Sequence, residues 1–208
     1  MAHYSISIDL DNRKCVVIGG GMVAERKVET FLEFGAAVAV VSPELTPRLR
    51  ELVDQGKIEY AAEAYQPGHL EGAFLAVAAT DDRDINTAVF AEAQQSGILI
   101  NVVDVPELCT FYMPATVRRG DLVISVSTSG RSPAMARRIR EEIESRFGEE
   151  YGELAEILGD MRDEIKARYP DIADRNRAYV RILDSDALSL LAIGRKEEAV
   201  KRAHECIL

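Results

Sequence analysis

The chain has no tryptophan, only three histidines and only three cysteines in 208 residues. His3, His69 and His204 are scattered, and Cys15, Cys109 and Cys206 show no paired spacing. No histidine–cysteine cluster at metal-ligand spacing results, so no metal site is assigned. The cysteines read as free thiols of a reducing compartment rather than a disulfide framework. Long apolar runs are also missing. The longest, 35–41 (GAAVAVV) and 72–79 (GAFLAVAA), are far too short to cross a bilayer, and the first fourteen residues carry no signal-peptide core. No membrane partner is expected, and a cytoplasmic location follows by default. There is no nucleophile elbow, no Walker lysine, no internal repeat and no low-complexity linker. Basic residues are in deficit: 25 Lys and Arg against 35 Asp and Glu give a net charge of −10, which excludes bulk nucleic-acid binding.

What is present begins at residues 14–27, KCVVIGGGMVAERK. A short apolar strand, Cys15 to Ile18, runs into Gly19, Gly20 and Gly21 and then into a helix-like segment from Met22 and Val23 onward. Gly19, Gly21 and Ala24 make the spacing G-x-G-x-x-A. Gly19 suits a tight turn, Gly21 lets a pyrophosphate approach the backbone, and Ala24 lets the helix pack close to the strand. Free N–H groups and the positive end of the helix dipole would face the phosphates. In this strand–turn–helix context the motif points to dinucleotide binding. A purely structural glycine turn is the alternative.

The first hundred residues alternate strands and helices. Strands are expected at 14–18, 37–41, near 58–60, at 74–79 and at 98–103, with helices over 23–34, 44–55 and 84–96; Ser42-Pro43 is the expected start of the second helix. Strands that are apolar throughout, rather than alternating, indicate a parallel sheet covered on both faces. Short βαβ spacing gives right-handed crossovers and hence an α/β, Rossmann-type doubly wound sheet. Residues 4–8 are expected to add an edge strand. After Val103 the pattern changes to a hairpin around Arg118-Arg119-Gly120-Asp121, then to an amphipathic helix opened by Ser132-Pro133 and running to about Phe147. The remainder is charged and helical, with a break near Tyr169-Pro170. The expected organisation is a nucleotide-binding domain over 1–112, a small strand-and-helix segment over 113–147, and a helical domain over 148–208.

In open parallel sheets ligands bind beyond the carboxyl ends of the strands. The second strand ends in Ser42-Pro43, where a dinucleotide site usually carries an acid for the ribose hydroxyls. No arginine sits at that tip to favour a 2′-phosphate, so NAD is expected over NADP. The fourth strand ends in Ala79-Thr80-Asp81, small enough for a cofactor to lie against the backbone; Asp82 or Asp84 is read as the cap of the next helix. The fifth ends Asn101-Val102-Val103-Asp104, putting Asp104 where a nicotinamide ring would end. A carboxylate there is a general base if burial raises its pKa, and otherwise a turn aspartate before Pro106.

Between Arg118 and Arg140 there are six arginines and one acid. One reading is a patch for an anionic ligand, with Arg131, Arg137 and Arg138 beside the hydroxyl- and glycine-rich turn Ser127-Thr128-Ser129-Gly130. The other is a solvated helix face paired with Glu141, Glu142 and Glu144. Ser132 before Pro133 is in either case an ordinary helix cap.

The stretches GGGMVAERK, AATDDRDIN, NVVDVPELCTFYMPA and VSTSGRSPAMARRIRE, in this order, resemble precorrin-2 dehydrogenases, including the N-terminal part of sirohaem synthase. The resemblance covers about residues 1–147; the helical tail matches loosely. It implies NAD-dependent oxidation of precorrin-2 to sirohydrochlorin, a homodimer joined through the segment after the sheet, and in some members insertion of Fe²⁺ into the product. The family's acidic residue in NVVD falls on Asp104; Asn101 and the 127–131 turn are expected to contact the substrate. A serine of a VSSGG-type run is also implied, but here threonine stands at the matching place, in Ser127-Thr128-Ser129-Gly130, and no serine role is carried over. The polycarboxylate substrate would need an arginine cluster such as this one.

Overall fold

The computed structural model describes residues 4–208, so His3 falls outside it. The chain forms two compact units, one ending at Met113 and the other spanning Pro114–Leu208.

The first unit runs β1 (Lys14–Ile18), α1 (Met22–Glu33), β2 (Ala37–Val41), α2 (Pro47–Asp54), β3 (Ile58–Ala61), β4 (Leu75–Ala78), α3 (Arg83–Ser96) and β5 (Leu99–Val102), followed by a 3-10 turn at Pro106–Leu108. The five strands form one sheet in the order β3-β2-β1-β4-β5, and every pairing in it is parallel. Successive residues of a strand point to opposite faces. Cys15 and Val17 of β1 accordingly join a core with Ala24, Val28 and Phe31 of α1 and Leu49 and Leu52 of α2. Val16 and Ile18 join the opposite core with Val89 and Ala93 of α3. Both faces are covered, which is why the strands read as unbroken apolar runs. β1 and β4 lie side by side, and the chain order reverses between them. The resulting crevice at their carboxyl ends is where such sheets bind ligands.

Two local expectations are corrected. Residues 4–8 form no strand. Tyr4 is 90% and Ile6 65% exposed, so the alternating apolar residues have no sheet edge to cover. The second helix starts at Pro47, not after Ser42-Pro43: Thr46 is its cap, with its hydroxyl accepting the Leu49 N–H at 3.2 Å. A second Thr-Pro pair four residues on does the work assigned to Ser42-Pro43.

The second unit opens with an antiparallel ribbon, β6 (Ala115–Arg119) and β7 (Leu122–Val126), joined through Gly120 and Asp121. α4 (Pro133–Arg146), α5 (Glu149–Asp160), α6 (Arg162–Arg168), α7 (Ile172–Leu183), α8 (Ala187–Ala192) and α9 (Lys196–Glu205) follow. Leu154, Ile165, Ile182 and Ile207 are among the buried residues of the helical core. α5 crosses β6 closely: a Cβ at Gly152 would stand 2.4 Å from the Arg119 carbonyl oxygen. Arg119 in turn donates from Nε to the Phe147 carbonyl at 3.0 Å and pairs with Glu149 at 3.4 Å, fixing the α4–α5 corner.

Candidate functional site: the glycine crest and its clefts

The three glycines after β1 answer to different demands. Gly19 donates its N–H to the Val41 carbonyl at 2.9 Å and sits at φ +116°, a conformation side-chain-bearing residues avoid. A Cβ there would also lie 2.3 Å from the Ala79 oxygen. At Gly20 a Cβ would lie 1.9 Å from the Glu44 carbonyl and 2.8 Å from Ser42 Oγ. The Gly20 carbonyl accepts the Thr46 N–H at 3.0 Å, so the turn is clasped to the segment entering α2. Gly21 is different. It caps α1 in an extended conformation, and a Cβ there would meet nothing within 4 Å. The first helical bond of α1 is from Glu25 N–H to the Gly21 carbonyl. The N–H groups of Met22, Val23 and Ala24 therefore precede the ladder and form the positive end of the helix.

In front of this crest lies a cleft of about 370 Å³, walled by Gly19–Gly21, Ser42 and Pro43, Ala64 and Tyr65, and Ala79–Asp81. A second cleft of about 430 Å³ shares Val23, Ala79, Thr80 and Asp81 with it and continues past Val103 and Asp104 to Glu107. Together they run from the ends of β2 and β3 across the β1–β4 crevice to the end of β5. An elongated trough over open N–H groups, with no side chain at Gly21, fits the residues of this unit to a dinucleotide.

The side chains around the trough are largely committed to building it. Ser42 is buried and its hydroxyl donates to the Glu44 carbonyl at 2.8 Å, supporting the loop that Gly20 packs against. Thr80 Oγ1 bonds Asn86 Oδ1 at 2.8 Å, and Asn86 Nδ2 donates back to the Thr80 carbonyl at 3.0 Å. Asp82 caps α3, its Oδ1 accepting the Asp84 and Ile85 N–H groups at 2.9 and 3.1 Å. Asp81 and Asp104 stay exposed on the trough. Asp104 holds φ +60°, a left-handed conformation that costs a non-glycine residue energy and is tolerated best by Asp and Asn. Asn101 lines neither cleft. It is buried and its amide donates to the Phe111 carbonyl at 3.1 Å and lies 3.5 Å from Cys109 Sγ, tying β5 to the chain that leaves it.

Ala64 and Tyr65 were not foreseen as part of the wall. The available signal was their position just past the carboxyl end of β3. Tyr65 is held by Glu92, to which its hydroxyl donates; burial and that carboxylate raise its pKa. Glu92 also accepts the Gly68 and Leu70 N–H groups, each at 3.1 Å, so one carboxylate on α3 fixes this side of the trough.

On the second unit, Ser127–Arg131 form a turn whose hydroxyls bond inward. Ser127 Oγ accepts the Ser129 N–H at 3.1 Å, and Thr128 Oγ1 accepts the Ser132 N–H at 3.0 Å. Ser129 and Gly130 both have positive φ, at 53° and 77°. Ser132 caps α4, accepting the Met135 N–H at 3.3 Å. Arg131 is exposed. Arg137 and Arg138 pair with Glu141 at 3.1 Å and Glu142 at 3.3 Å along exposed α4, the arrangement expected of a solvated helix face.

A family model for NAD(P)-binding domains matches residues 6–115. The chain belongs to this NAD(P)-binding family. Two further models follow in chain order: the sirohaem biosynthesis protein central region over 119–146 and the sirohaem synthase dimerisation region over 150–205. Siroheme synthase 1 of Aeromonas salmonicida is 40% identical over 200 residues, covering 96% of this chain and 43% of the relative. Siroheme synthase of Chromobacterium violaceum is 40% identical over 203 residues, covering 98% and 43%. The chain thus spans well under half the length of these curated relatives. Among solved structures, SirC, a precorrin-2 dehydrogenase, superposes with a TM-score of 0.76 at 26% identity, covering 98% of this chain and all of that one. The likeness extends through the helical unit and supports the Rossmann-type architecture read from the strands.

Proposed function

We propose that this chain is an NAD-dependent dehydrogenase that oxidises precorrin-2 to sirohydrochlorin in sirohaem synthesis. The observation that carries the reading is the continuous trough from the glycine crest to Asp104, in a chain that a precorrin-2 dehydrogenase of solved structure matches over 98% of its length. Bound NAD⁺ supplies the hydride acceptor. The chain's own residues do the rest. The α1 N-terminus and the open face of Gly21 take the pyrophosphate. Ser42, Pro43, Ala79, Thr80, Asp81 and Val103 shape the walls along which the nucleotide lies. No arginine or lysine lines the first cleft, which favours NAD over a cofactor with a 2′-phosphate. Asp104 is assigned the proton that leaves the substrate with the hydride, its carboxylate being exposed on the trough beside Val103. The hydroxyls of Ser127, Thr128 and Ser129, the Gly130 N–H and the guanidinium of Arg131 are assigned substrate carboxylates. Arg137 and Arg138 would have to exchange their glutamate partners to join them. The match to a dimerisation region over 150–205 supports a homodimer.

The test is an anaerobic assay of the purified protein with precorrin-2, with NAD⁺ and NADP⁺ compared. Absorbance should report sirohydrochlorin formation with NAD⁺ in preference to NADP⁺. Binding of NAD⁺ without turnover would remove the substrate assignment, and no binding would remove the cofactor assignment. Adding sirohydrochlorin and Fe²⁺ to the same preparation tests the iron insertion that the resemblance also implies.

A further inference from the structure

The second unit contains a cleft of about 570 Å³ between the end of α5, α6 and the start of α7, a volume typical of small-molecule sites. Arg162 and Lys166 are four residues apart on α6 and therefore share a face. Arg175 of α7 completes the set, its guanidinium anchored by bonds from Nε to the Tyr169 carbonyl at 2.7 Å and from Nη2 to the Pro170 carbonyl at 2.6 Å. Among the described residues no carboxylate lies within 4 Å of any of the three. Four other cations of the helical region pair with carboxylates, Arg177 with Asp174, Arg195 with Glu198, Lys196 with Glu156 and Arg202 with Asp186, while Arg168 and Arg181 donate to the backbone carbonyls of Leu208 and Cys206. Three cations without a carboxylate partner thus line one cleft, in a chain of net charge −10 that has carboxylates to spare. Leu158, the Tyr179 ring and the exposed Ile172 add apolar wall. Gly159, in the last turn of α5, forms part of the wall. A Cβ there would meet nothing within 4 Å, so packing of the chain does not require the glycine, and its missing side chain leaves the cleft open.

We infer that this cleft binds a small organic polyanion, with an apolar body over Leu158 and Tyr179 and acidic groups on Arg162, Lys166 and Arg175. None of these residues belongs to the nucleotide trough, so the inference does not rest on the dehydrogenase reading; all lie in the stretch matched to the dimerisation region, so it requires that the homodimer leave the cleft open. The test titrates the full-length protein with benzene-1,3,5-tricarboxylate, benzoate and inorganic pyrophosphate, following backbone amide resonances of Gly159, Lys166 and Asn176, with Gly19–Gly21 as the reference for the other site. The tricarboxylate should shift the cleft amides and leave the reference amides in place. Benzoate, with one charge, and pyrophosphate, with no apolar body, should each bind at least ~tenfold more weakly, since each charge-assisted bond is worth about that factor or more. Arg162→Gln/Lys166→Gln should cut tricarboxylate affinity at least ~tenfold. Gly159→Phe should fill the cleft and abolish the shifts with no loss of helicity or melting temperature. Cleft amides unmoved by every probe, shifts that persist in Gly159→Phe, or the same amides shifting with protein concentration because a second copy covers the cleft would each overturn the proposal.

Discussion

A single methyl group should have opposite consequences at two adjacent positions, Gly20 and Gly21. In Gly20→Ala the new Cβ would stand 1.9 Å from the Glu44 carbonyl oxygen and 2.9 Å from Leu45 Cδ2. Relief requires residues 44–46 to move by more than an ångström, yet they are held by the Thr46 N–H on the Gly20 carbonyl at 3.0 Å and by Ser42 Oγ on the Glu44 carbonyl at 2.8 Å. Forcing a group into such a packed site costs about 1–3 kcal/mol. For a unit of this size that lowers the melting temperature by roughly 4–12 °C. In Gly21→Ala the methyl meets no protein atom. Alanine is a poorer helix cap than glycine by roughly 0.5 kcal/mol, but it lowers the entropy of the unfolded chain by a similar amount, and the two nearly cancel. Stability should therefore be unchanged within about 1 °C. NAD⁺ affinity should fall at least ~tenfold, about 1.4 kcal/mol, because the methyl enters the space the pyrophosphate needs. Scanning calorimetry and calorimetric titration with NAD⁺ on the two variants decide the matter. Normal NAD⁺ binding by a stable Gly21→Ala would refute the assignment of that open face to the phosphates.

Asp104→Asn should keep the fold and NAD⁺ binding, because Asn also tolerates the left-handed conformation at φ +60°, while precorrin-2 oxidation falls ~10²–10⁴-fold; unaltered turnover would take the proton from Asp104. Asp82→Ala removes the acceptor of two N–H groups at the start of α3 and should lower stability by about 1 kcal/mol in urea unfolding, with no change if the cap is dispensable. Burial pushes the Cys15 thiol up to about 11 from its ordinary 9.0, so the fold favours the neutral form. The corresponding stability is fully present below pH 9 and is lost as pH rises toward 11. Between those limits the parent protein should lose about 2 kcal/mol more than Cys15→Ala does, measured by urea unfolding at both pH values; parallel losses would show that the thiol is not protected.

The sheet was legible because its physics is local and repetitive. Each strand needs apolar residues at consecutive positions when both faces are covered, and Cys15 to Ile18 feed two cores alternately. The glycine crest was legible for a similar reason, since a strand entering a helix through a turn at φ +116° leaves little choice of residue at Gly19. What escaped depends on partners distant in sequence. Nothing near Tyr65 announces that Glu92 will hold it in the wall of the trough. Nothing near Asn101 announces that Phe111 and Cys109 will use up its amide. The start of α2 was misplaced because Ser42-Pro43 and Thr46-Pro47 carry the same local signal. Only the close approach of Gly20 to Glu44 requires residues 42–46 to stay non-helical.

Charge shows the limit most clearly. Counting along the sequence marks 118–140 as the arginine-rich region, with six arginines and one acid. On α4, however, the helical repeat sets Arg137 and Arg138 one turn before Glu141 and Glu142, and each pair forms at low cost in water. Arg119 is spent on the Phe147 carbonyl and Glu149. A run of cations followed by a run of acids at i+4 spacing thus neutralises itself as soon as the helix forms. Arg162, Lys166 and Arg175 stand in a stretch with no such concentration, since Asp163, Glu164, Asp171 and Asp174 intervene. Three of those acids take other partners: Asp171 caps α7, Glu164 meets His204, and Asp174 pairs with Arg177. Available positive charge is therefore set by what the acids do in three dimensions, which explains why the densest arginine run and the cleft of Arg162, Lys166 and Arg175 are different parts of the molecule.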